Sequence, residues 1–357
     1  MFGVYLHIPF CSSKCDYCAF ATWTDRHHLI DAYLAALRRE IGRAVEGGMP
    51  VADTIFVGGG TPTLVPPDDL ADVIGSIPRS PDAEVTVECN PDDVDVAMLR
   101  SFVDGGVNRV SVGVQSMSAH VLTALGRTHD RDNVARSVEA IRDVGVPTFN
   151  LDLIYGAAGE SMVDWQDTVA GALALEPPHV SAYGLTVEAG TPLAAQPGRH
   201  PDDDDQADKY EFVDEQLTAA GLANYEVSNW AVPGHESRHN FLYWRQQNYR
   251  GFGCAAHSHA DGRRWWNIRT PDRYIDAVNA GVSVEASSET LDVNQRRSEG
   301  QQLTLRTRDG VERSAFDEAT LELVGDMVVE HPTEPERVVL TRSGRLMAND
   351  ISIRMSD

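Results

Sequence analysis

The chain has 357 residues, 42% of them hydrophobic, and a formal net charge of −24 at pH 7. These values predict a globular protein with a substantial core and exclude a disordered chain. They also disfavour a nucleic-acid partner, because a polyanion needs a basic face. No signal peptide and no apolar segment of about 20 residues is apparent, so we expect a cytoplasmic protein.

Short β-branched segments alternate with helical patterns in the first half of the chain, which predicts repeated βα units and a parallel sheet. The predicted strands are Val4–Ile8, Thr54–Val57, Glu84–Glu88, Arg109–Val114, Thr148–Ile154 and His179–Leu185. The clearest predicted helices are Leu29–Val45 and Asn133–Val144, where apolar residues recur at helical spacing. Six units are too few for an eight-stranded barrel, so we predict a partial (β/α)6 barrel of the TIM type.

Polar and glycine-rich segments follow these strands. They include a cysteine loop after the first strand, Gly58-Gly59-Gly60-Thr61-Pro62 after the second, and Glu88-Cys89-Asn90-Pro91 at the end of the third. The carboxyl ends of parallel strands form the reactive face of α/β folds. We therefore expect one pocket at this edge of the sheet.

The second half of the chain has a different organisation. An acidic helix is predicted over Asp203–Ala220, where Asp202 to Asp205 suit the positive end of the helix dipole, and an aromatic-rich stretch runs from Tyr225 to Trp266. The last predicted elements are helices at Gln295–Leu305 and Phe316–Val329 and a hairpin of Val338–Thr341 with Arg345–Met347. We thus predict a core at 1–195, an extension that completes it at 196–290, and a winged-helix-like α+β cap at 291–357.

The five cysteines are unevenly distributed. Cys11, Cys15 and Cys18 lie within eight positions, whereas Cys89 and Cys254 are scattered and suit small core residues. An odd, clustered set does not fit a disulfide framework and points to metal or catalysis. Three thiolates could form part of a zinc knuckle, or they could hold a [4Fe–4S] cluster whose open iron chelates a small molecule.

The pattern Cys-x-x-x-Cys-x-x-Cys, with Tyr17 before the last cysteine, resembles the signature of the radical-SAM superfamily. The resemblance implies that Cys11, Cys15 and Cys18 hold a [4Fe–4S] cluster that binds S-adenosylmethionine (SAM) at the mouth of the partial barrel. It also implies an electron donor such as flavodoxin or ferredoxin, because a reduced cluster cleaves SAM to a 5′-deoxyadenosyl radical.

Further residues resemble the HemN-like branch of that superfamily. The strings Tyr-Leu-His-Ile-Pro-Phe-Cys at 5–11 and Asn-Leu-Asp-Leu-Ile-Tyr-Gly at 150–156 carry this resemblance. It implies that the glycine run holds the methionine amine of SAM and that other positions contact its adenosine or carboxylate, or lie at the cluster. The SAM residues implied are Tyr5, Tyr17, Gly59, Gly60, Thr61, Glu88, Gln115, Arg127 and Asp152.

Two subgroups of the branch compete. Coproporphyrinogen dehydrogenases continue Cys-x-Cys beyond the third ligand, where this chain has Phe20, whereas the HemW haem chaperones carry His-Asn-x-x-Tyr-Trp, matched here by 239–244. The resemblance favours a haem chaperone over an enzyme and implies His239 as a haem ligand, because imidazole is a common axial ligand. His257 could pack, hold SAM or serve as an alternative ligand. A dehydrogenase and a methyltransferase that uses two SAM molecules are the alternative functions.

The chaperone interpretation also sets the expected partners. They are haem and a haem-acceptor protein, with peripheral association with membrane haem proteins and formation of a dimer as further options. No nucleic acid is expected.

Overall fold

The structure is a computed structural model that describes residues 1–355. Its first half alternates strands and helices. The strands are β1 (Phe2–Ile8), β2 (Ala52–Gly59), β3 (Arg79–Cys89), β4 (Arg109–Gln115), β5 (Thr148–Tyr155) and β6 (His179–Gly184). The helices are α1 (Ile30–Glu46), α2 (Pro67–Gly75), α3 (Val96–Asp104), α4 (Ala119–Ala124), α5 (Arg131–Val144) and α6 (Met162–Leu173). All six predicted strands are confirmed, and the two predicted helices correspond to α1 and α5.

Strands β1 to β6 lie side by side in chain order, and each is parallel to the next. Helix α1 shows how the intervening helices contribute to the core, because Tyr33, Leu34, Leu37 and Ile41 are all buried on one face. Removing each such side chain from water stabilises the fold by roughly 1.5–3 kcal/mol.

The next segment extends both edges of this sheet. Its elements are α7 (Asp203–Ala219), β7 (Ala223–Glu226), β8 (Asn229–Ala231), α8 (Arg238–Trp244), β9 (Asn248–Phe252), β10 (His257–Ala260), β11 (Arg263–Asn267), α9 (Pro271–Ala280) and β12 (Glu285–Thr290). Strands β8 and β7 continue beyond β6, whereas β9 pairs in parallel with β1 and leads to β10, β11 and β12. The 12-stranded sheet therefore begins at β12 and ends at β7, and its described strands do not form a closed ring. This confirms the predicted partial barrel.

Helix α7 begins where the acidic run predicts. Asp202 caps it by accepting a hydrogen bond from the backbone N–H of Asp205. Asp205 also pairs with the fully buried Lys209, one turn later, at 2.6 Å. The run therefore starts a helix and neutralises a buried charge.

The C-terminal segment packs around its own small apolar cluster. Its elements are α10 (Val293–Leu305), β13 (Val311–Glu312), α11 (Glu318–Val324), β14 (Val328–Glu330), β15 (Arg337–Leu340), α12 (Arg342–Leu346) and α13 (Ala348–Ser352). Strand β15 lies between β13 and β14 in an antiparallel sheet, which confirms an α+β cap. The domain boundaries at 195 and 290 stay predictions.

Two details of the cap prediction were wrong. The helix expected over Phe316–Val329 ends at Val324, because Gly325 takes a positive φ of 53° and the chain then forms β14. The second strand of the expected hairpin is helix α12, since the Thr341 side chain caps it by accepting a hydrogen bond from the Gly344 N–H. Strand β15 therefore pairs with β14 and not with Arg345–Met347.

Within residues 1–355, no helix combines the length and apolar character needed to cross a membrane.

Candidate functional site

A cavity of about 680 Å³ occupies the concave face of the parallel strands. Most of the strand residues that line it alternate along their strand, as expected for one face of a sheet. They are Phe56 on β2, Thr86 and Glu88 on β3, Arg109, Ser111, Gly113 and Gln115 on β4, Asn150, Asp152 and Ile154 on β5, and His179, Ser181 and Tyr183 on β6. Most of these side chains are polar, whereas a barrel interior that serves only as a core is filled with branched apolar residues. The polar lining therefore indicates a ligand chamber.

The cysteine loop lies at the mouth of this chamber. Cys11, Cys15 and Cys18 all line the cavity and are half-buried. The loop is fixed at its base by a hydrogen bond from the Cys11 N–H to the Trp23 carbonyl at 3.2 Å. Burial raises the pKa of the Cys11 and Cys18 thiols, and the Thr61 hydroxyl, 3.7 Å from the Cys11 sulfur, opposes that shift for Cys11. A bound metal would bring all three thiols to the thiolate form.

The donor set fits an iron–sulfur cluster. In the part of the chain that the structure describes, no three His, Cys, Asp or Glu side chains converge as they would around a single metal ion. A four-iron cluster would bind each thiolate at a different iron, so it does not require the three sulfurs to converge on one point. Cys89 also lines the cavity, but it is buried and directs its thiol to the Val87 carbonyl. The buried Cys254 contacts the Tyr33 hydroxyl.

The glycine run lies directly against the cysteine loop. The Gly60 N–H donates to the Ile8 carbonyl and the Thr61 N–H donates to the Phe10 carbonyl, both at 2.7 Å. A Cβ on Gly60 would stand 2.5 Å from the Phe10 oxygen, and Gly59 takes a φ of +111°. The sequence analysis predicted that these glycines allow a ligand to approach the backbone. They also allow the end of β2 to contact the backbone that leads into the cysteine loop.

Two carboxylates lie deeper in the chamber. The Glu88 side chain accepts a hydrogen bond from the Gly59 N–H at 3.1 Å, and burial together with the charge of Asp152 raises the pKa of Glu88 to about 7. Burial raises the pKa of Asp152 also, although hydrogen bonds from Ser111 at 2.8 Å and Asn150 at 2.7 Å oppose the shift. The chamber thus holds one carboxyl that changes its charge near neutral pH.

Arg127 and Gln115 complete the predicted SAM set at the carboxyl edge. Arg127 donates to the Asn90 side chain at 2.9 Å and to the Gly113 carbonyl at 3.0 Å. Gln115 has a φ of 61° at an irregularity in the pairing of β4 with β5. Such bulges are frequent beside active sites, where they redirect a side chain.

The two tyrosines occupy different places. Tyr17 lines the cavity, and burial raises the pKa of its hydroxyl. Tyr5 does not line the cavity, and its hydroxyl lies 3.0 Å from the Nδ1 atom of His7. The Nε2 atom of His7 lies 2.9 Å from the Ala21 carbonyl, and burial lowers the pKa of His7 to about 4. His7, which the sequence analysis did not single out, therefore links Tyr5 to the end of the cysteine loop as a neutral side chain.

The two histidines considered as haem ligands also lie outside the cavity lining. His239 is fully buried on α8, where its ring nitrogens lie 2.8 Å from the hydroxyls of Thr54 and Tyr243. Burial lowers its pKa to about 3. His257 is exposed at the start of β10 and stacks on Trp266, with ring centroids 5.6 Å apart. His257 is thus open to a ligand in this conformation, whereas His239 must exchange a hydrogen bond.

Helix α8 closes the chamber at the end opposite the cysteine loop. The backbone N–H groups of Arg238 and His239 donate to the carboxylate of Glu84, near the middle of β3. Ser237, which caps the helix, and Asn240 line the cavity. Of the His-Asn-x-x-Tyr-Trp string, Asn240 therefore contributes to the chamber floor.

Glu88→Gln should change the pH dependence of unfolding. The folded protein binds the Glu88 proton with a pKa of about 7, against an ordinary value of 4.5. The contribution of this carboxyl to stability is therefore complete below pH 4.5 and is lost as pH rises to 7. Wild type should lose more stability than the variant across that window in urea unfolding. Burial also raises the pKa of Glu226 to about 7, so Glu226 contributes to the pH dependence of both proteins. The effect of Glu88 is therefore the difference in the free energy of unfolding between wild type and variant at each pH. If the free energy of unfolding changed with pH in the same way in both proteins, the raised pKa of Glu88 would be contradicted.

Comparisons with known proteins agree with this geometry. The profile of the Radical SAM superfamily matches residues 5–170. The solved structure of coproporphyrinogen III oxidase (HemN) from Escherichia coli, described as a radical SAM enzyme, superposes with a TM-score of 0.84. That match has 21% sequence identity and covers 99% of this chain and 89% of the other, so it establishes the fold. Barrel, cysteine loop and profile together define a radical-SAM protein, a class that implies a [4Fe–4S] cluster and SAM.

Curated relatives give the family within this class. The chain is 38% identical to the protein named heme chaperone HemW of Mycobacterium tuberculosis, over 98% of this chain and 93% of that protein. It is 34% identical to the HemW of Bacillus subtilis, over 98% of each chain. It is 37% identical to the HemW of Escherichia coli, over 73% of this chain and 71% of that protein. The chain belongs to the HemW family.

Proposed function

We propose that this protein binds haem and transfers it to an acceptor protein, and that it does not make porphyrin. The observation that carries the proposal is the similarity to proteins named heme chaperone over 98% of the chain, including the cap. The cofactors proposed are a [4Fe–4S] cluster on Cys11, Cys15 and Cys18, SAM in the chamber, and haem. A cytoplasmic location and contact with membrane haem proteins are parts of the same proposal.

The mouth of the chamber supports a chaperone over a dehydrogenase. Phe20 stands where the dehydrogenases carry an additional cysteine. This residue lines the cavity and is 61% exposed. An exposed aromatic ring beside the cluster loop offers an apolar contact to a flat macrocycle and supplies no thiol. Tyr17 lines the same mouth and adds a second ring.

SAM fits the chamber through the chemistry of its lining. Glu88 and Asp152 supply carboxylates for hydroxyl and amine groups, and Arg127 supplies a cation for a carboxylate. When bound, the cluster would offer an open iron to the amino-acid part of SAM. The chain itself contributes the position of these groups and a chamber that limits the access of water.

The second candidate is coproporphyrinogen oxidation, favoured by the TM-score of 0.84 to HemN. The two functions separate in one anaerobic preparation that is reconstituted with iron and sulfide. The chaperone proposal predicts saturable haem binding, transfer of that haem to an apo-haem protein, and no decarboxylation of coproporphyrinogen III with SAM and reductant present. Sustained decarboxylation would favour the enzyme. Absence of haem binding would contradict the proposal.

A further inference from the structure

A buried arginine lies in the chamber without an acidic partner. Arg109 begins β4, is 2% exposed and lines the cavity. Its Nη1 atom donates to the His235 carbonyl at 2.8 Å, whereas its Nη2 atom has no hydrogen-bond partner. Within residues 1–355, no carboxylate reaches salt-bridge distance of this guanidinium. The charge of Arg109 favours the ionised form of Asp152, but the Asp152 carboxylate makes its hydrogen bonds with Ser111 and Asn150.

Three further buried side chains of the chamber carry unpartnered polar atoms. They are the Oγ1 atom of Thr86, the Oδ1 atom of Asn150 and the Nδ1 atom of His179. Thr86 is the register partner of Arg109 on β3, and Asn150 is the register partner of His179 across β5 and β6. The four residues therefore sit on adjacent strands at neighbouring levels. An unsatisfied buried polar group costs about 1–3 kcal/mol, and a buried charge costs more, so such a cluster indicates a ligand.

The hydrogen bonds around His179 determine what its free nitrogen can do. The Tyr225 hydroxyl lies 2.9 Å from Nε2 of His179 and accepts a hydrogen bond from the Ser237 N–H at 3.3 Å. Its proton is therefore free to point to Nε2, which leaves the neutral imidazole with an N–H at Nδ1. Burial, with the charge of Arg109, lowers the pKa of His179 and keeps it neutral. Arg109, Thr86 and His179 then each carry an unpaired donor on a side chain that lines the chamber.

Asn150 connects this cluster to Asp152 through a hydrogen bond of 2.7 Å, whereas Gln115 and Arg127 lie apart from it at the carboxyl edge. Gln115 lies six residues after Arg109 along β4, a rise of about 20 Å in a strand. Arg127, the other arginine of the chamber, contacts Asn90 and Gly113 at the carboxyl edge. The chamber therefore offers Lys14 and Arg127 toward its mouth and Arg109 at its floor, near α8.

We infer that Arg109, with Thr86 and His179, forms a carboxylate-binding subsite at the floor of the chamber. The inference extends the proposed function, since haem carries two propionate carboxylates, but SAM also carries a carboxylate. Both sources share the chemistry that a guanidinium recognises. Asn150 supplies an acceptor beside it for a water or an amine of the same ligand.

The test compares Arg109→Met, which removes charge and donors at similar length, with Arg109→Lys, which keeps the charge. Arg136→Met on the exposed face of α5 is the matched control. The ligand pairs are haem with its dimethyl ester, and SAM with decarboxylated SAM. One of these two pairs contains the ligand whose carboxylate binds Arg109. For that pair, Arg109→Met should lower the affinity for the carboxylate form about 10- to 100-fold and should change the affinity for the ester or decarboxylated form little. Arg109→Lys should give an intermediate loss.

The unfolding of the ligand-free protein is the second measurement. A ligand-binding guanidinium is uncompensated without its ligand, so Arg109→Met should be at least as stable as wild type in urea. A clear loss of stability together with unchanged affinity for haem and for SAM would make Arg109 a structural residue and overturn the inference. If wild type binds no haem, the proposed function fails, while the SAM pair and the unfolding curves still test the subsite.

Discussion

Replacing any one of Cys11, Cys15 or Cys18 with alanine should abolish the iron–sulfur cluster. Three thiolates are the whole protein contribution to a cluster with one open iron, so losing one leaves a second iron without a protein ligand. Anaerobically reconstituted wild type should contain about four iron atoms per chain, and each variant should fall close to zero. In wild type the electron paramagnetic resonance signal of the reduced cluster should shift when SAM is added.

Cys254→Ala is the matched control for these substitutions. Cys254 is buried, is not among the residues that line the cavity, and accepts a hydrogen bond from the Tyr33 hydroxyl at 3.7 Å, so its loss should leave the iron content unchanged. Cys89→Ala tests the one other thiol that lines the chamber. A protein without all three loop cysteines that still assembled the same cluster would show that the loop is not the ligand set.

The parallel half of the fold was predictable because its signals are local. Each of β1 to β6 is a short β-branched run followed by a polar or glycine-rich segment, and both features can be read without knowledge of distant residues. The position of β9 beside β1 could not be read in this way. That pairing joins Phe2 to Asn248, 246 positions apart in the chain, and only tertiary structure determines it. The missed helix α12 depends on a cap at Thr341, which competed with the turn signal of Ser343-Gly344.

The site was predictable at its mouth and not at its floor. The cysteine loop and the glycine run form motifs, whereas Arg109 and His179 are single residues at the starts of strands. Alternation was the available signal, because Arg109, Ser111 and Gln115 lie two or four positions apart on one face of β4. The sequence also could not show that both ring nitrogens of His239 are hydrogen-bonded, since Thr54 lies 185 positions away.

His239→Ala should lose most of its haem affinity while its cluster stays intact, if His239 is the axial ligand proposed from the family motif. The deletion removes a metal–nitrogen bond, and it also leaves the hydroxyls of Thr54 and Tyr243 without their partner in a buried site. That second effect costs about 1–3 kcal/mol per group, so a loss of affinity does not by itself identify a ligand. His257→Ala is the necessary comparison, because His257 is exposed and its ring makes no such hydrogen bond within residues 1–355. Loss of haem in His257→Ala alone would place the ligand on β10.

Tyr243→Phe separates ligation from structure at His239. The substitution keeps the imidazole and removes only the hydroxyl 2.8 Å from its Nε2 atom. If haem iron binds that nitrogen, wild type must first break the hydrogen bond, and the variant need not. Since such a bond contributes about 1 kcal/mol, the variant should bind haem about five times more tightly, with an unchanged Soret spectrum in the bound state. If His239 only fixes α8 to β2, the variant should bind haem no better than wild type, because removing the hydroxyl then gives the ligand no advantage. Haem titrations of wild type, His239→Ala, His257→Ala and Tyr243→Phe in one buffer decide between the two roles.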